Sequence, residues 1–337
     1  MIGAMQSLRG GNVVSQAIRV HEHGGPEVLR LEEVDPPAPG PGEVRVRHTA
    51  IGVNFIDVYF RTGLYKAPSL PFTPSNEGAG VVEALGEGVT ELRVGDRVAY
   101  AATLGAYAEH RVIPAKVLVR IPEGVDDDTA AAMMLKGMTA QYLLRRTYRV
   151  QPGDTVLMHA AAGGVGLILC QWAKHLGCTV IGTVGSPDKA ELARANGCDH
   201  VILYREEDFV ARVKEITGGQ GCAVVYDGIG KATFPGSLDC LRPLGMFASF
   251  GSASGTVPAF DIGLLAQKGS LFATRPTLFT YIAKREDLEA IAGDLFEVVR
   301  SGAVKIPVHA RAPLAEAAAV HRALEGRDTT GATVLKP

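Results

Sequence analysis

A glycine-rich run from residue 158 to residue 168 is the part of this chain whose residue types point most directly to chemistry. It follows the pattern A-x-G-x-x-G, with Ala161 at the first position, where many dinucleotide-binding chains have glycine. Gly163 and Gly164 allow backbone N–H groups to approach a pyrophosphate, because neither carries a Cβ atom. Gly166 allows close packing of a following helix, whose N-terminus is attractive to an anion. The run therefore predicts a dinucleotide-binding turn.

The segments on either side of this run are the ones that a phosphate-binding turn needs. A short strand-like stretch covers 155–158, and an amphipathic stretch ends at Gly177. Apolar residues recur at helical spacing in that stretch and give the helix a buried face: Val165, Leu169, Trp172, Ala173 and Leu176. A tight glycine turn inside the core is the alternative interpretation, and the strand–turn–helix order favours the dinucleotide site.

The next predicted strand, 179–184, bears on which dinucleotide binds. Sites selective for NAD place an acid at the tip of this strand for the ribose 2′-hydroxyl. The tip here reads Gly185-Ser186-Pro187-Asp188-Lys189, and Asp188 falls within the start of the next helix, where an Asp is an ordinary first-turn residue. A serine hydroxyl and a lysine ammonium suit a 2′-phosphate, although Lys189 could also be a solvated helix lysine. The pattern favours NADPH over NADH.

Length and composition restrict the class of protein. A chain of 337 residues most simply holds two domains. A formal net charge of −2 without a basic cluster argues against nucleic acid or an anionic membrane as partner. No apolar run approaches the roughly twenty residues that a membrane span requires.

The first fifteen residues and the five cysteines say little about chemistry. Residues 1–15 lack the layout of a signal peptide and are interpreted as a disordered extension, so that the folded chain begins near Gln16. No C-x-x-C pair occurs, which argues against a zinc ribbon or a redox pair. Free thiols in a reducing cytoplasm are the simpler interpretation.

The chain changes character along its length. From Gln16 to about residue 116 it reads as short strands broken by Gly and Pro, with predicted strands at 43–51, 78–82, 97–100 and 106–112. Asp126 to Thr129 then caps an alanine-rich helix, and a second helix is expected at 139–145.

From residue 155 strands and helices alternate, which indicates a parallel doubly wound sheet. The expected strands are 155–160, 179–184, 200–204, 222–227, 245–250 and 270–274. The expected helices between them are 164–176, 187–195, 208–217 and 232–241. Helices at 286–301 and 313–325 and a strand at 332–335 would complete the chain.

Several segments in one order resemble the zinc-free quinone oxidoreductases of the medium-chain dehydrogenase/reductase superfamily. The resemblance runs from about residue 18 to the end. It rests on H-G-G-P-E-V-L at 23–29, G-V-N-F-I-D-V-Y at 52–59, H-A-A-A-G-G-V-G at 159–166, Y-R-E-E-D at 204–208, K-E-I-T-G-G at 214–219 and T-R-P at 274–276. It implies a GroES-like catalytic domain (16–138, completed by 280–337) and a Rossmann NADPH-binding domain (139–279).

Zinc-dependent relatives carry a Cys ligand in C-x-x-D and a His ligand in G-H-E-x-x-G. This chain has Asn54 and Asn76 at those two positions. An amide is a poor zinc ligand compared with thiolate or imidazole, so we expect no metal. A quinone is then a suitable hydride acceptor, because its reduced product is aromatic and needs little help from a Lewis acid.

The resemblance also implies positions for the site residues. Asn54, Phe55 and Tyr59 would lie along the nicotinamide, with Thr139 and Tyr142 approaching from the helix between the domains. The pyrophosphate would contact Gly163, Gly164, Val165 and Gly166, and the 2′-phosphate would lie beside Gly185, Ser186, Lys189 and Tyr204. Phe250 and Gly251 would cover the nicotinamide, and Arg327 would reach the cofactor from near the C-terminus.

We expect Tyr59, Tyr65 and Arg275 around the quinone, where they can donate hydrogen bonds to a developing oxyanion. Each could instead have a structural role, the tyrosines as packed aromatics and Arg275 as a brace for its loop. The alternative activity is reduction of α,β-unsaturated carbonyls. A non-catalytic NADPH-binding protein, crystallin-like or RNA-binding, is the alternative from another class. A cytoplasmic homodimer is the expectation that the resemblance carries.

Overall fold

The computed structural model describes residues 15–326 and 329–337. The N-terminal part is rich in strands and contains one short helix, α1 (Phe55–Arg61). Its strands are β1 (Ser15–Arg19), β2 (Arg30–Val34), β3 (Glu43–Gly52), β4 (Glu77–Leu85), β5 (Arg97–Ala101), β6 (His110–Pro114) and β7 (Val119–Arg120). Polar and apolar residues alternate along the first half of β3, and Val44 and Val46 point into the core, as a half-buried strand requires.

Two details of this part differ from the sequence-based expectation. Ser15 is buried and pairs with Val34, so β1 begins one residue before the expected start at Gln16. Residues 1–14 of the expected extension lie outside the described residues. The strand expected at 106–112 begins only at His110, because Ala106 and Ala108 belong to a turn in which Ala108 forms a single bridge to Ala17.

A long buried helix, α2 (Asp127–Tyr142), leads out of the strand-rich part. Asp126 caps it as expected, since its carboxylate accepts a hydrogen bond of 2.8 Å from the backbone N–H of Thr129. The separate helix expected at 139–145 does not exist. Instead α2 runs without a break into a π-helical turn, Leu143–Thr147, because no Gly or Pro follows Tyr142 to end it.

A six-stranded parallel sheet follows, as the alternating pattern predicted. Its strands are β8 (Thr155–His159), β9 (Thr179–Val184), β10 (His200–Leu203), β11 (Cys222–Asp227), β12 (Leu241–Ser249) and β13 (Phe272–Thr274). The spatial order β10-β9-β8-β11-β12-β13 is the doubly wound order of dinucleotide-binding domains. The helices are α3 (Gly164–His175), α4 (Pro187–Ala195), α5 (Phe209–Ile216), α6 (Gly236–Asp239), α7 (Gly263–Gln267) and α8 (Leu278–Tyr281).

The C-terminal segment returns to the first sheet. Its elements are α9 (Arg285–Arg300), β14 (Val308–Pro313), α10 (Ala317–Gly326) and β15 (Ala332–Lys336). β15 pairs with β3, giving a seven-stranded sheet of order β14-β15-β3-β4-β5-β7, with β6 also on β3. β14 was missed from the sequence because two of its six residues are charged or imidazole-bearing and mostly exposed. The helix expected from residue 313 therefore begins at Ala317, after a 3-10 turn.

Helix α9 packs against α2 at a point where α2 has no side chain. A Cβ atom added to Gly137 would lie 2.5 Å from a methyl carbon of Leu295. Among the described helices, none is long and apolar enough to cross a membrane.

Candidate active site

The glycine-rich run forms a turn between β8 and α3, as its pattern predicted. Gly163 occupies the N-cap of α3, and Ala161 at the first position of the pattern is completely buried. A Cβ atom on Gly166 would lie 2.6 Å from the carbonyl oxygen of Ala161. Only glycine therefore permits this close approach of helix and strand, and the turn keeps the shape that a pyrophosphate needs.

A cavity of about 660 Å³ opens beside this turn and extends to the strand-rich part. It contains most of the residues that the sequence assigned to cofactor and substrate. Among its lining residues are Asn54, Phe55, Tyr59, Tyr65, Thr139, Tyr142, Gly163, Gly164, Val165, Gly166, Phe250, Gly251 and Arg275. A glycine turn at one end and aromatic walls at the other fit an extended dinucleotide with a planar substrate beside it.

The expected 2′-phosphate residues lie together beyond the cavity, at the end of β9. A Cβ atom on Gly185 would lie 2.8 Å from the hydroxyl oxygen of Tyr204, so the tyrosine closely covers this glycine. Ser186 is the N-cap of α4, with Asp188 and Lys189 in the first turn of that helix. Arg327 lies outside the described residues.

Arg205, which was not predicted from the sequence, also belongs to this group. The Nε atom of Arg205 lies 3.4 Å from the position of a Cβ atom on Gly185. Its position directly after Tyr204 is the feature of the sequence from which it could have been predicted. A guanidinium at the tip of β9 increases the positive charge where a 2′-phosphate would bind.

Aromatic rings form the wall of the cavity nearest the strand-rich part. The ring centroids of Tyr59 and Tyr65 are 5.0 Å apart, and those of Phe55 and Tyr59 are 5.5 Å apart. A guanidinium nitrogen of Arg275 donates a 3.3 Å hydrogen bond to the hydroxyl of Tyr65. Burial raises the pKa of Tyr59 above its usual value, so this hydroxyl keeps its proton and can donate.

On the α2 side of the cavity, Tyr142 stacks on another tyrosine. Its ring is nearly parallel to that of Tyr281, with centroids 4.4 Å apart. Burial raises the pKa of the Tyr142 hydroxyl, which therefore also stays protonated. The stack fixes the ring that faces the cavity.

The two asparagines in place of zinc ligands both take part in hydrogen bonds. The amide of Asn54 donates to a carboxylate oxygen of Glu77 at 2.7 Å, and that of Asn76 donates to the carbonyl of Ala102 at 2.6 Å. Lys136 also lies beside Glu77, with 3.2 Å between its ammonium nitrogen and the carboxylate oxygen. An ammonium group that shares the Glu77 carboxylate with the Asn54 amide makes this donor set unfavourable for Zn²⁺. The described residues contain no cluster of three or more His, Cys, Asp or Glu side chains suited to a metal.

A buried polar network fixes the loop after β11, which also lines the cavity. The carboxylate of Asp227 accepts hydrogen bonds from the backbone N–H groups of Ile229 and Gly230, at 2.7 and 2.9 Å. It also accepts from Ser237, whose hydroxyl lies 3.1 Å from a ring nitrogen of His159. Burial lowers the pKa of His159, so the neutral ring serves as a hydrogen-bonding spacer between β8 and this loop.

Four contributors to the site were not predicted from the sequence: Lys136, Glu77, Asp227 and His159. One signal was available for Lys136, because it precedes Thr139 by three residues and so shares a face of the same helix. The others depend on contacts between strands that are distant in sequence, and no local pattern marks them.

Two family profiles match the chain in the order of the fold. Residues 40–123 match the alcohol dehydrogenase GroES-like domain, and residues 164–292 match the zinc-binding dehydrogenase profile. The second profile is named for zinc binding, but the two amides at the positions of zinc ligands, Asn54 and Asn76, lie in the segment that matches the first profile.

Individual relatives match over nearly the full length. The chain is 53% identical to a quinone oxidoreductase of Pseudomonas aeruginosa over 325 residues, which are 96% of this chain and 100% of the relative. It is 49% identical to a 2-haloacrylate reductase of Burkholderia sp., covering 94% of this chain and 98% of that protein. The crystal structure of Escherichia coli quinone oxidoreductase complexed with NADPH superposes with a TM-score of 0.94 at 48% identity, covering 96% and 100% of the two chains. With this similarity and a glycine turn, cavity and doubly wound sheet in the same arrangement, the chain belongs to the quinone oxidoreductase family of the medium-chain dehydrogenase/reductase superfamily.

Proposed function

We propose that this protein is an enzyme that reduces small quinones with NADPH and without a metal ion. The observation that carries the proposal is the continuous cavity that joins the glycine turn at Gly163–Gly166 to the aromatic wall at Tyr59 and Tyr65. The quinone oxidoreductases that resemble the chain, one of them complexed with NADPH, support the assignment.

The residues of the chain bind and orient the reactants. NADPH supplies the hydride when it is bound. The glycine turn receives the pyrophosphate, while Ser186, Lys189 and Tyr204 surround the 2′-phosphate. Phe55, Thr139, Tyr142, Phe250 and Gly251 line the part of the cavity that we assign to the nicotinamide.

At the other end, Tyr59, Tyr65 and Arg275 are the residues that we assign to the quinone. The two tyrosine rings offer flat apolar surfaces to a planar acceptor. The Arg275 guanidinium offers hydrogen bonds and positive charge to the oxygen on which negative charge develops. No Lewis acid is required, because reduction converts the quinone ring into an aromatic one.

Turnover by metal-depleted protein tests this function. We expect oxidation of NADPH in the presence of benzoquinone, with NADPH strongly preferred over NADH. Tight binding of NADPH without turnover of any acceptor would contradict the proposal and would favour the binding-protein alternative.

Reduction of α,β-unsaturated carboxylates is a second candidate function, and a specific observation favours it. Among the described residues around the cavity, Lys136 and Arg275 are charged, and because the Lys136 ammonium pairs with Glu77, the Arg275 guanidinium is the cation offered to an acceptor. A cavity with that charge is suited to an acceptor that carries a carboxylate. The 49% identical relative is named a 2-haloacrylate reductase. A 2-haloacrylate replaces benzoquinone in the same assay, and a higher kcat/KM for the acrylate would make this the principal activity.

We also propose the domain limits 16–138 with 280–337, and 139–279, because β15 pairs with β3 whereas β8 to β13 form a sheet of their own.

A homodimer is proposed through the edge strand β13, where the side chain of Phe272 is 56% exposed. Light scattering tests the dimer. A cytoplasmic location is supported by five free buried cysteines, Cys170, Cys178, Cys198, Cys222 and Cys240.

A further inference from the structure

Lys136 is a buried cation in the wall of the cavity, and its aliphatic stem contacts the phosphate turn. Its side chain is only 8% exposed. A Cβ atom on Gly164 would lie 2.8 Å from Cδ and 3.0 Å from Cε of Lys136. The methylene groups of the lysine therefore pack directly against the glycine, at the point where α3 begins.

The ammonium group of Lys136 points away from the turn, toward a buried carboxylate. Its Nζ lies 3.2 Å from Oε2 of Glu77, whose side chain is fully buried. The same Oε2 accepts a 2.7 Å hydrogen bond from the Asn54 amide, and Oε1 accepts one of 2.7 Å from the backbone N–H of Leu135. Both carboxylate oxygens are therefore engaged, and the ion pair has the geometry that a buried pair requires.

Asn54 connects this pair to the aromatic wall. It is the N-cap of α1, and its backbone N–H donates a 2.9 Å hydrogen bond to Asp57 in the first turn of that helix. The next turn of α1 carries Tyr59. A continuous chain of contacts thus runs from Gly164 through Lys136, Glu77 and Asn54 to the helix that presents Tyr59.

A buried ion pair costs desolvation energy, and apolar residues of similar size often stabilise a fold equally well. What the ion pair adds is a fixed orientation of the Asn54 side chain, because hydrogen bonds to a buried, paired carboxylate hold that amide at one angle and distance. A fixed orientation matters here because the phosphate end and the nicotinamide end of one long dinucleotide have to be held at a fixed separation.

We propose that Lys136 is a positioning residue for the hydride step, acting through Glu77 on Asn54 and α1. The inference rests on the proposed function. In it, Lys136 affects where the nicotinamide lies, while the glycine turn alone recognises the phosphates. Loss of the pair should therefore lower kcat far more than it weakens binding of the dinucleotide.

The test compares the wild type with the double variant Lys136→Met, Glu77→Gln. Lys136→Met alone would leave the Glu77 carboxylate buried and unpaired, which destabilises the fold, whereas the double variant removes both charges of the pair. We expect kcat with benzoquinone to fall by about 10- to 100-fold and the Kd of NADPH to change by less than about threefold. The isotope effect on kcat with NADPH deuterated at the transferred position should rise, because a misplaced nicotinamide makes hydride transfer limiting.

Lys174→Met is the matched control. Lys174 lies on α3 and pairs with Asp199 at 2.5 Å, on the surface and outside the residues that line the cavity. This variant also removes one ammonium group next to a carboxylate, and it should leave kcat and the isotope effect unchanged. A double variant with wild-type kcat and isotope effect would overturn the proposal, as would equal losses in kcat and in NADPH affinity.

A readout independent of turnover separates this inference from the proposed function. If the wild type reduces no acceptor, the proposed function fails, and the fluorescence of the bound reduced nicotinamide still reports its position. In the double variant this emission should change, while 2′-phospho-ADP-ribose, which lacks the nicotinamide, should keep its affinity. Unchanged emission would contradict a positioning role for Lys136.

Discussion

The guanidinium of Arg275 donates a hydrogen bond of 3.3 Å to the hydroxyl of Tyr65, although 210 positions separate the two residues. The contact joins the segment after β13, the last strand of the dinucleotide sheet, to the loop that follows α1. It places one cation beside two aromatic rings at the end of the cavity, which is the arrangement that we assign to the substrate.

Replacement of Arg275 by Gln should weaken catalysis without weakening the fold. The side chain is exposed at the cavity, and the variant removes the positive charge offered to the reduced oxygen. We expect kcat/KM for benzoquinone to fall by about tenfold or more, with an unchanged Tm. Steady-state kinetics and thermal melting measure the two effects. A kcat/KM equal to that of the wild type would show that Arg275 only braces its loop through the carbonyl of Pro276.

A Gly166→Ala substitution should abolish tight binding of NADPH. The new Cβ atom would lie 2.6 Å from the backbone carbonyl of Ala161, and a backbone neighbour cannot move aside cheaply. Fluorescence titration with NADPH measures the loss.

Gly293→Ala is the matched control for this substitution. Gly293 lies within α9, and a Cβ atom there meets nothing within 4 Å. The change should stabilise the protein by about 0.5–1 kcal/mol, because alanine favours the helix, and should leave NADPH affinity unchanged. If both glycine variants bind NADPH equally well, the turn at residue 166 does not have the role that its shape suggests.

A Lys189→Ala substitution should reduce the preference for NADPH over NADH. A charge-assisted hydrogen bond to a phosphate contributes about 1.5–3 kcal/mol, so kcat/KM for NADPH should fall by about 10- to 100-fold. The value for NADH should stay close to that of the wild type, because NADH has no 2′-phosphate. Equal effects on both cofactors would contradict the assignment of Lys189 to this group.

Asp57 should make the stability of the fold depend on pH. Burial raises its pKa from 3.8 to about 7, although the backbone of Asn54, Lys136 and the hydroxyl of Tyr107 act in the opposite direction. Between these two values the folded state holds a proton that the unfolded chain has released. The free energy of unfolding should therefore fall as the pH rises through this window and level off above it.

The Asp57→Asn variant lacks this contribution and keeps an acceptor for the Asn54 backbone N–H. Urea unfolding across the same pH range should show the variant gaining stability relative to the wild type as the pH rises. Parallel curves for the two proteins would show that the Asp57 carboxyl titrates at the same pH in both states.

The sequence was sufficient for the parts of the fold that local patterns determine. Strand β9 and helix α4 begin and end where they were expected, because β-branched residues fill one and a proline opens the other. The break expected near Thr139 was wrong, since an alanine-rich helix without Gly or Pro at its end continues. Strand β14 was not predicted, because its extended conformation depends on pairing with β15 and its exposed residues show no pattern typical of a strand.

In the site, too, local patterns could be predicted from the sequence, whereas contacts between distant segments could not. The turn at Gly163–Gly166 could be read directly from spacing, and the resemblance to the family added Tyr59, Tyr65 and Arg275, which the structure places around one cavity. The ion pair of Lys136 with Glu77 could not be predicted, because 59 positions separate the two residues and only the packing of α2 on β4 brings them together.

The central claim, hydride transfer from NADPH to a quinone without a metal, is tested most directly by one measurement on protein that has been treated with a chelator and assayed for residual zinc. Consumption of NADPH and formation of hydroquinone are followed together with benzoquinone as acceptor. The account predicts full activity in zinc-free protein and one hydroquinone formed for each NADPH consumed. Activity that disappears with the metal and returns on addition of Zn²⁺ would contradict it.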